Sequence, residues 1–346
     1  MRYTLPPLAD LSLLPFDTVI DVRSPSEFAE DHMPGAINLP VLSDKERATV
    51  GTIYVQDSPF KARKIGAALV ARNAALHLEQ ALMGKNGGWK PLVYCWRGGQ
   101  RSGSFTMILQ QVGWRAEVVE GGYKAYRKLV KRALYDEDFA PKVTLLDGNT
   151  GSAKTDILAA LATRGVQVID LEGLANHRGS LFGARAGGQP SQKAFESALA
   201  QVVEGLDPMR PVVVEAESSK IGRLSVPPRL WAAMRVASRV EIRAPLAARA
   251  QYLAAAYKDI VDDSARLGET LDKLRTYHAG ETIAQWHKLA EGGEMEALAT
   301  ALMAEHYDSR YAKARGERAD VTPLPLAGLG PADIEAAAAR IEALLA

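Results

Sequence analysis

The sequence predicts an α/β protein of two successive parallel-sheet units, the second ending in a mostly helical part. Strand and helix patterns alternate in two rounds, and the run Asp136-Glu137-Asp138-Phe139-Ala140-Pro141 separates them. Each round also holds a glycine-containing loop between an apolar strand and a helix. At 346 residues the chain is long enough for two cores of ordinary size, and the boundaries are set at residues 1–138 and 139–346.

The first round opens on Thr18-Val19-Ile20-Asp21-Val22, an apolar strand, after which Ser24-Pro25 starts a helix with serine at the cap. His32-Met33-Pro34-Gly35 makes a turn that feeds a short extended segment ending at Pro40. Residues 60–83 are helical in spacing. A strand at 92–94, a loop from Cys95, a helix at 102–112, a strand at 116–120 and a helix at 123–135 complete the round. The second round runs through a strand at 142–146, a loop at 147–153, a helix at 154–163 and a strand at 166–171. A glycine-rich segment at 173–188, a helix at 191–205 and strands at 211–215 and 238–243 follow. From Pro245 onward the pattern is mostly helical, and an alanine-rich helix from Pro331 closes it.

Composition excludes several function classes. The 42 Lys and Arg nearly cancel the 41 Asp and Glu, so a nucleic-acid surface has to be local rather than global. No secretory leader pattern opens the chain, and no window reaches about 18 uninterrupted apolar residues, so a cytoplasmic protein without a membrane partner is expected. The single cysteine, Cys95, rules out an intramolecular disulfide framework and agrees with a reducing compartment.

That cysteine opens Cys95-Trp96-Arg97-Gly98-Gly99-Gln100-Arg101-Ser102, directly after the apolar run Pro91-Leu92-Val93-Tyr94. A strand ending on a thiol and turning through two glycines into a helix aims backbone N–H groups, Arg97 and Arg101 at whatever the sulfur carries. Such a cradle favours the thiolate and binds tetrahedral oxyanions. Two chemistries fit these residues: a sulfur-family atom carried on the thiolate, and attack on a phosphoester.

A second loop, Gly148-Asn149-Thr150-Gly151-Ser152-Ala153-Lys154-Thr155, matches the P-loop form G-x-x-x-x-G-K-[ST] except at Ala153. Its amides and Lys154 suit di- or triphosphate oxygens, and Thr155 suits magnesium if that ion is used. A left-handed conformation at Ala153 costs roughly 1–2 kcal/mol. Glu215 and Glu217 end a following apolar strand, where such proteins place a metal- or water-orienting acid. Arg178, Lys220 and Arg223 fall in loops expected at the ligand edge of the sheet, as clamps for phosphate or RNA. In the first unit, Lys124, Arg127, Lys128, Lys131 and Arg132 form a basic helix stripe that suits an RNA backbone.

Asp21-Val22-Arg23, Glu27-Phe28 and His32-Met33-Pro34-Gly35-Ala36 together with Cys95 resemble the rhodanese signature; His32 is read as fixing the turn rather than as catalytic. The spacing of Cys95 and Arg101 is also similar to the C-x5-R loop of cysteine phosphatases, although Tyr94 stands where those enzymes carry histidine. A rhodanese-like domain with the loop Cys-Trp-Arg-Gly-Gly, followed by a P-loop NTPase-like α/β domain, resembles the tRNA 2-selenouridine synthase family. The resemblance extends to Gly121-Gly122-Tyr123-Lys124, His177-Arg178-Gly179-Ser180, Gln189-Pro190-Ser191-Gln192 and His306-Tyr307-Asp308, and it departs at Ala153, where the family carries glycine.

The resemblance implies an enzyme of wobble 2-thiouridine in tRNAs for lysine, glutamate and glutamine. It implies geranyl transfer from geranyl diphosphate to the sulfur, then replacement of the geranylthio group with selenium from selenophosphate. Cys95 would then serve selenium transfer and residues 148–155 would bind a diphosphate or tRNA phosphate, with no tightly bound cofactor. Phe182, Trp231 and Tyr252 fit either the core or a prenyl channel. The alternatives are a stand-alone rhodanese-type sulfurtransferase, a cysteine phosphatase with an accessory nucleotide-binding domain, and a nucleotide-controlled RNA-binding module.

Overall fold

The computed structural model describes residues 1–180, 182–256, 263–310 and 320–345; Leu181, parts of the expected C-terminal helical region and Ala346 lie outside them. Two compact units emerge, one of residues 1–137 with 190–205, the other of 138–189 with 206–346. The change of unit falls near residue 138, and residues 190–205 group with the first unit rather than with the residues that flank them.

In the first unit, β1 (Arg2–Tyr3), β2 (Thr18–Asp21), β3 (Ile37–Asn38), β4 (Pro91–Tyr94) and β5 (Glu117–Val119) form an all-parallel sheet in the order β1-β5-β4-β2-β3. Its helices are α1 (Pro25–Glu30), α2 (Asp44–Gln56), α3 (Pro59–Gln80), α4 (Gln100–Val112) and α5 (Tyr123–Lys131). Proline opens α1, where its missing N–H would have no partner in any case, and the Ser24 amide donates to Glu27 at 3.2 Å. β4 is buried at every position because strands flank it on both sides and helices cover its faces. Ile20, Val22, Val93, Phe105 and Leu109 fill the core beneath it.

The second unit contains β6 (Val143–Gly148), α6 (Lys154–Thr163), β7 (Gln167–Ile169) and the single turn α7 (Leu171–Leu174). Next along the chain comes α8 (Gln192–Glu204), which joins the first unit through buried polar contacts. Its Ser197 hydroxyl donates to Asp31 at 2.8 Å, and its Glu196 pairs with Arg127. The second unit then continues with β8 (Val212–Glu215), the hairpin β9 (Lys220–Ile221) and β10 (Leu224–Ser225), α9 (Pro228–Val236) and β11 (Ser238–Arg243). Helices α10 (Leu246–Ala256), α11 (Ser264–Asp272), α12 (Gly280–Glu291) and α13 (Met295–Leu302) precede β12 (Val321–Pro325) and α14 (Pro331–Leu345).

Five parallel strands in the order β12-β11-β6-β8-β7 make the second sheet, with Leu146, Ile157, Leu161, Val213 and Ile341 in its core. A separate apolar cluster holds the helical part together, around Trp286, Leu271, Leu274, Ile283 and Leu302. β12 lies in the stretch expected to be mostly helical and was not foreseen as a strand. It carries Pro323 and Pro325, which cannot complete a central ladder, and it pairs on one side only, with β11.

Candidate functional site

Cys95 follows the central strand of the first sheet, and backbone packing holds its loop. Gly122 has φ 59°, and a Cβ there would stand 2.3 Å from the Cys95 carbonyl oxygen; a Cβ on Gly98 would stand 2.5 Å from the Val119 oxygen. Only glycine fits either place. The amides of Tyr123 and Lys124 donate to the carbonyls of Cys95 at 2.8 Å and Trp96 at 3.1 Å, so the start of α5 is spent on the loop itself. The Trp96 ring lies 5.3 Å from that of Tyr123, tilted rather than parallel. Arg97 and Gly99 are exposed, whereas Gly98 is buried.

The thiol is 4% exposed, and Ser102 Oγ donates to Sγ at 3.2 Å. Burial opposes ionisation most strongly. Hydrogen bonds from the Ser102 hydroxyl and amide, the charge of Arg101 and the Arg97 amide together outweigh it and bring the thiol below its ordinary value. Arg101 is itself paired with Glu27, at 2.7 and 3.3 Å. Beneath the loop the buried Arg23 guanidinium grips Asp21 at 2.6 Å and lies 3.9 Å over the Tyr123 ring. His32 does what the sequence suggested: its Nδ1 bonds the Phe28 oxygen at 2.9 Å and its ring stacks on Phe28.

The basic stripe on α5 is narrower than expected. Lys124, Lys128 and Lys131 are exposed, and Arg132 pairs with Glu137 at 2.5 Å. Arg127 turns inward to Glu196, the Ser197 hydroxyl at 3.2 Å and the Asp31 carboxylate at 3.6 Å. Its helical position alone put it on the stripe; the acids of α8 and Asp31 take it off.

In the second unit β6 ends at Gly148, and the loop 149–153 leads into α6 at Lys154. Ala153 adopts the left-handed conformation, φ 55° and ψ 29°, which the glycine of the motif would take without a Cβ penalty. Lys154 Nζ donates to the Gly148 oxygen at 3.2 Å, and Ser152 is buried. The outer side of the loop is braced by residues the sequence reading missed. Asn149 donates to Asp308 at 3.1 Å, while Arg249 binds both the Thr150 oxygen at 3.1 Å and Asp308 at 3.0 and 2.7 Å. The run His306-Tyr307-Asp308 was the available signal for one half of that brace; Arg249 sits in an ordinary amphipathic helix and carried none.

Carboxylates face the start of α6. Thr155 Oγ1 donates to Glu215 at 3.2 Å and stands 3.5 Å from Glu172, whose amide in turn donates to Glu215 at 3.0 Å. Burial is the main reason both acids lie above the usual carboxylate range; Glu215 and Glu217 raise Glu172 further, and Asp170 and Glu217 raise Glu215. Glu172 was also missed, although an acid just past β7 at the carboxyl edge of a parallel sheet is a signal.

A cavity of about 210 Å³ opens on the loop, lined by residues 150–156, Glu172, Arg178, Ser180, Arg185, Tyr252, Leu253 and Ala256. Thr150, Ser180 and Leu253 also line an adjoining apolar cavity with Phe182, Leu267, Leu298 and Leu302. Of the expected clamps, Arg178 lines this cavity, Glu215 meets the loop through Thr155, and Glu217 stands beside Glu172. The structure does not bring Lys220 or Arg223 there: Lys220 is exposed on the hairpin, and Arg223 bonds Gln189. Phe182 and Tyr252 lie beside the loop; Trp231 lines a different depression, with Met234 and Asp320.

A parallel sheet whose central strand leads into a thiol held below its ordinary value, joined in one chain to a parallel sheet with a phosphate loop, defines a rhodanese-like domain fused to a P-loop domain. Family models agree, the rhodanese-like domain over residues 8–129 and the tRNA 2-selenouridine synthase AAA domain over residues 141–279. The chain belongs to the tRNA 2-selenouridine synthase family. It is 35% identical over 72% of its length to a tRNA 2-selenouridine synthase of Psychromonas ingrahamii and 36% identical over 67% to one of Nitrosomonas europaea. A tRNA 2-selenouridine synthase of Chromohalobacter salexigens is 36% identical over 81% of this chain. The matched stretches span 67, 61 and 73% of those three relatives. Among the described residues, no helix is long and apolar enough to cross a membrane.

Proposed function

We propose that this protein is a cytoplasmic transferase that modifies the wobble uridine of tRNAs for lysine, glutamate and glutamine, converting 2-thiouridine to S-geranyl-2-thiouridine and then to 2-selenouridine. In the first step the uridine sulfur, having lost the N3 proton, attacks C1 of geranyl diphosphate, and diphosphate leaves with the C–O electron pair. In the second, selenium of selenophosphate adds at C2 and geranylthiolate leaves. Water then cleaves the P–Se bond, so that the products are 2-selenouridine, geranylthiol and inorganic phosphate.

The observation that carries this reading is the phosphate-loop cavity adjoining a small apolar cavity of about 60 Å³, with Thr150, Ser180 and Leu253 in the walls of both. A prenyl diphosphate has both parts: charge for Lys154, Arg178 and the loop amides, and a hydrocarbon chain for Phe182, Leu267 and Leu298. Thr155 and Glu215 are hard oxygen donors suited to magnesium. Among the described residues no group of three or more His, Cys, Asp or Glu is arranged to hold a metal, so such an ion would lean on the diphosphate as well.

Cys95, with its thiol held below its ordinary value and the amides around it, suits the selenium step: the cradle holds the selenophosphate anion beside the reacting carbon. The experiment is mass spectrometry of nucleosides after incubation of 2-thiouridine tRNA with geranyl diphosphate, then selenophosphate. Cys95→Ala is expected to cut selenation by on the order of 10³-fold and leave geranylation near wild type. Lys154→Ala is expected to do the reverse, weakening geranyl diphosphate about 10–100-fold. Equal loss of both activities in a folded Cys95→Ala protein would overturn the division of labour.

A further inference from the structure

A groove of about 990 Å³ lies between α2 and α3 of the first unit and reaches Gln100 and Arg101 at the start of α4. Three guanidiniums line it, those of Arg47, Arg63 and Arg101, and no carboxylate does. Glu27, just outside, answers Arg101 at 2.7 Å and reaches Arg47 at 3.8 Å, so one acid stands against three cations and the groove stays positive. The Tyr54 ring, 55% exposed, and the amides of Gln56 and Gln100 lie along the same walls.

Two features leave the groove accessible. α2 packs along α3, yet none of its residues is fully buried. Gly51 and Gly66 line the groove from interior helix positions, where glycine weakens a helix; a Cβ on Gly66 would stand 3.5 Å from Val50 of α2, and one on Gly51 3.6 Å from Arg47. A longer side chain at either would occupy the groove.

Cations for a phosphodiester backbone, an exposed ring for a base and amides for base edges form the set by which single-stranded RNA is held. The inner end of the groove also lies next to the thiol, because Arg101 precedes Ser102, the residue that bonds Cys95 Sγ. We infer that the α2–α3 groove binds the unpaired nucleotides flanking the target uridine, with Arg47 and Arg63 on phosphates and Tyr54 stacked on a base. This inference rests on the tRNA reading above. Exposed Val55 and Phe60 also suit a protein surface, but a positive groove without a facing carboxylate favours the phosphodiester.

The test uses the full chain and fluorescence anisotropy over a range of salt, with a short RNA hairpin carrying 2-thiouridine in its loop and a blunt duplex of the same stem. Reversing both charges, Arg47→Glu with Arg63→Glu, is expected to weaken the hairpin about 100-fold and to lower its log–log salt slope by about 1.4. Tyr54→Ala is expected to cost about tenfold, and Tyr54→Phe to keep wild-type affinity. Unchanged hairpin affinity in variants that melt as wild type, as a protein-docking groove would give, overturns the assignment; so does an equal loss on the duplex. Wild-type protein that ignores the hairpin overturns the tRNA reading as well, which separates the two failures. Photo-crosslinking of wild-type protein to 4-thiouridine placed beside the target nucleotide gives a reading independent of variant folding: cross-links within residues 47–63 support the groove, and cross-links only elsewhere refute it.

Discussion

The Cys95 loop and the phosphate loop leave corresponding places, the third strand of a five-stranded parallel sheet, and each runs into a helix, β4 into α4 and β6 into α6. They are held by different means. The Cys95 loop is locked backbone on backbone, with Gly98 and Gly122 in positions no side chain fits and two carbonyls tied to α5. The phosphate loop is held by side chains, through Asn149, Arg249 and Asp308, and it accepts an alanine in a left-handed conformation. Their charges differ too. The thiol faces amides and the Arg101 guanidinium, while Lys154 and Thr155 face acids that keep their protons unusually long. Backbone contacts leave the first loop one shape, whereas a brace of side chains lets the second adjust in geometry and charge.

Gly122→Ala attacks this contrast where it is sharpest. The added methyl would stand 2.3 Å from the Cys95 oxygen and 2.4 Å from the Gly98 nitrogen, at a φ that alanine disfavours. The expected cost to the first unit is about 2–4 kcal/mol, with a slower reaction of the Cys95 thiol toward alkylating agents. Chemical denaturation and alkylation rates measure both. A change within about 0.5 kcal/mol would mean that the loop is not locked by backbone contact.

Glu172→Gln tests the charge half of the comparison. Glu172 is raised to about 9 and Glu215 to about 7, chiefly by burial and then by neighbouring acids. A carboxyl that holds its proton more tightly when folded contributes stability that is full below the usual carboxylate value, near 4.3, and is lost as pH rises through the folded value. The thermal transition of the second unit is therefore expected to fall between pH 6 and pH 9. Glutamine at position 172 should flatten that decline by about 1–2 kcal/mol, or some 2–8 °C for a unit of this size. Thermal melts of both proteins across that range decide it; parallel declines would show that the pair does not share its protons as described. No corresponding effect is expected at Glu27, which lies on the opposite side of its ordinary value because Arg101 and the Ser24 amide outweigh its burial.

How much of this was legible in the sequence follows the same division. Strand, loop and helix around Cys95 and around residues 148–155 were readable, because local rules govern them: an apolar run, glycines, then a helical period. His32 was read correctly because its hydrogen bond closes within four residues. Partners that arrive from a distance were not readable. Arg127 had the spacing of a surface stripe until Glu196, 69 residues away, drew it inward. Arg249 and Asp308 brace a loop about 100 and 160 residues upstream, which no periodicity reports. β12 was hidden because its prolines argue against a strand, and only the one-sided pairing with β11 shows why they are tolerated.

Ala153→Gly is the smallest expected effect and the finest test of the comparison. Position 153 is left-handed in the folded loop, which costs alanine roughly 1–2 kcal/mol that glycine does not incur. Glycine returns roughly 0.4–1 kcal/mol of that through the greater freedom of the unfolded chain. The alanine methyl is also buried, at 3% residue exposure, and its loss removes some packing. The sum leaves a gain of only a few tenths to about 1 kcal/mol for glycine, with diphosphate affinity within about threefold of wild type. Denaturation of the second unit and calorimetric titration with inorganic diphosphate measure the two. A loss of stability would mean that the methyl's packing, and not the brace from Arg249 and Asp308, sets the shape of the loop. A large gain in affinity would mean that the strained alanine holds the amides away from the phosphate, so that the loop is less adaptable than its side-chain brace implies.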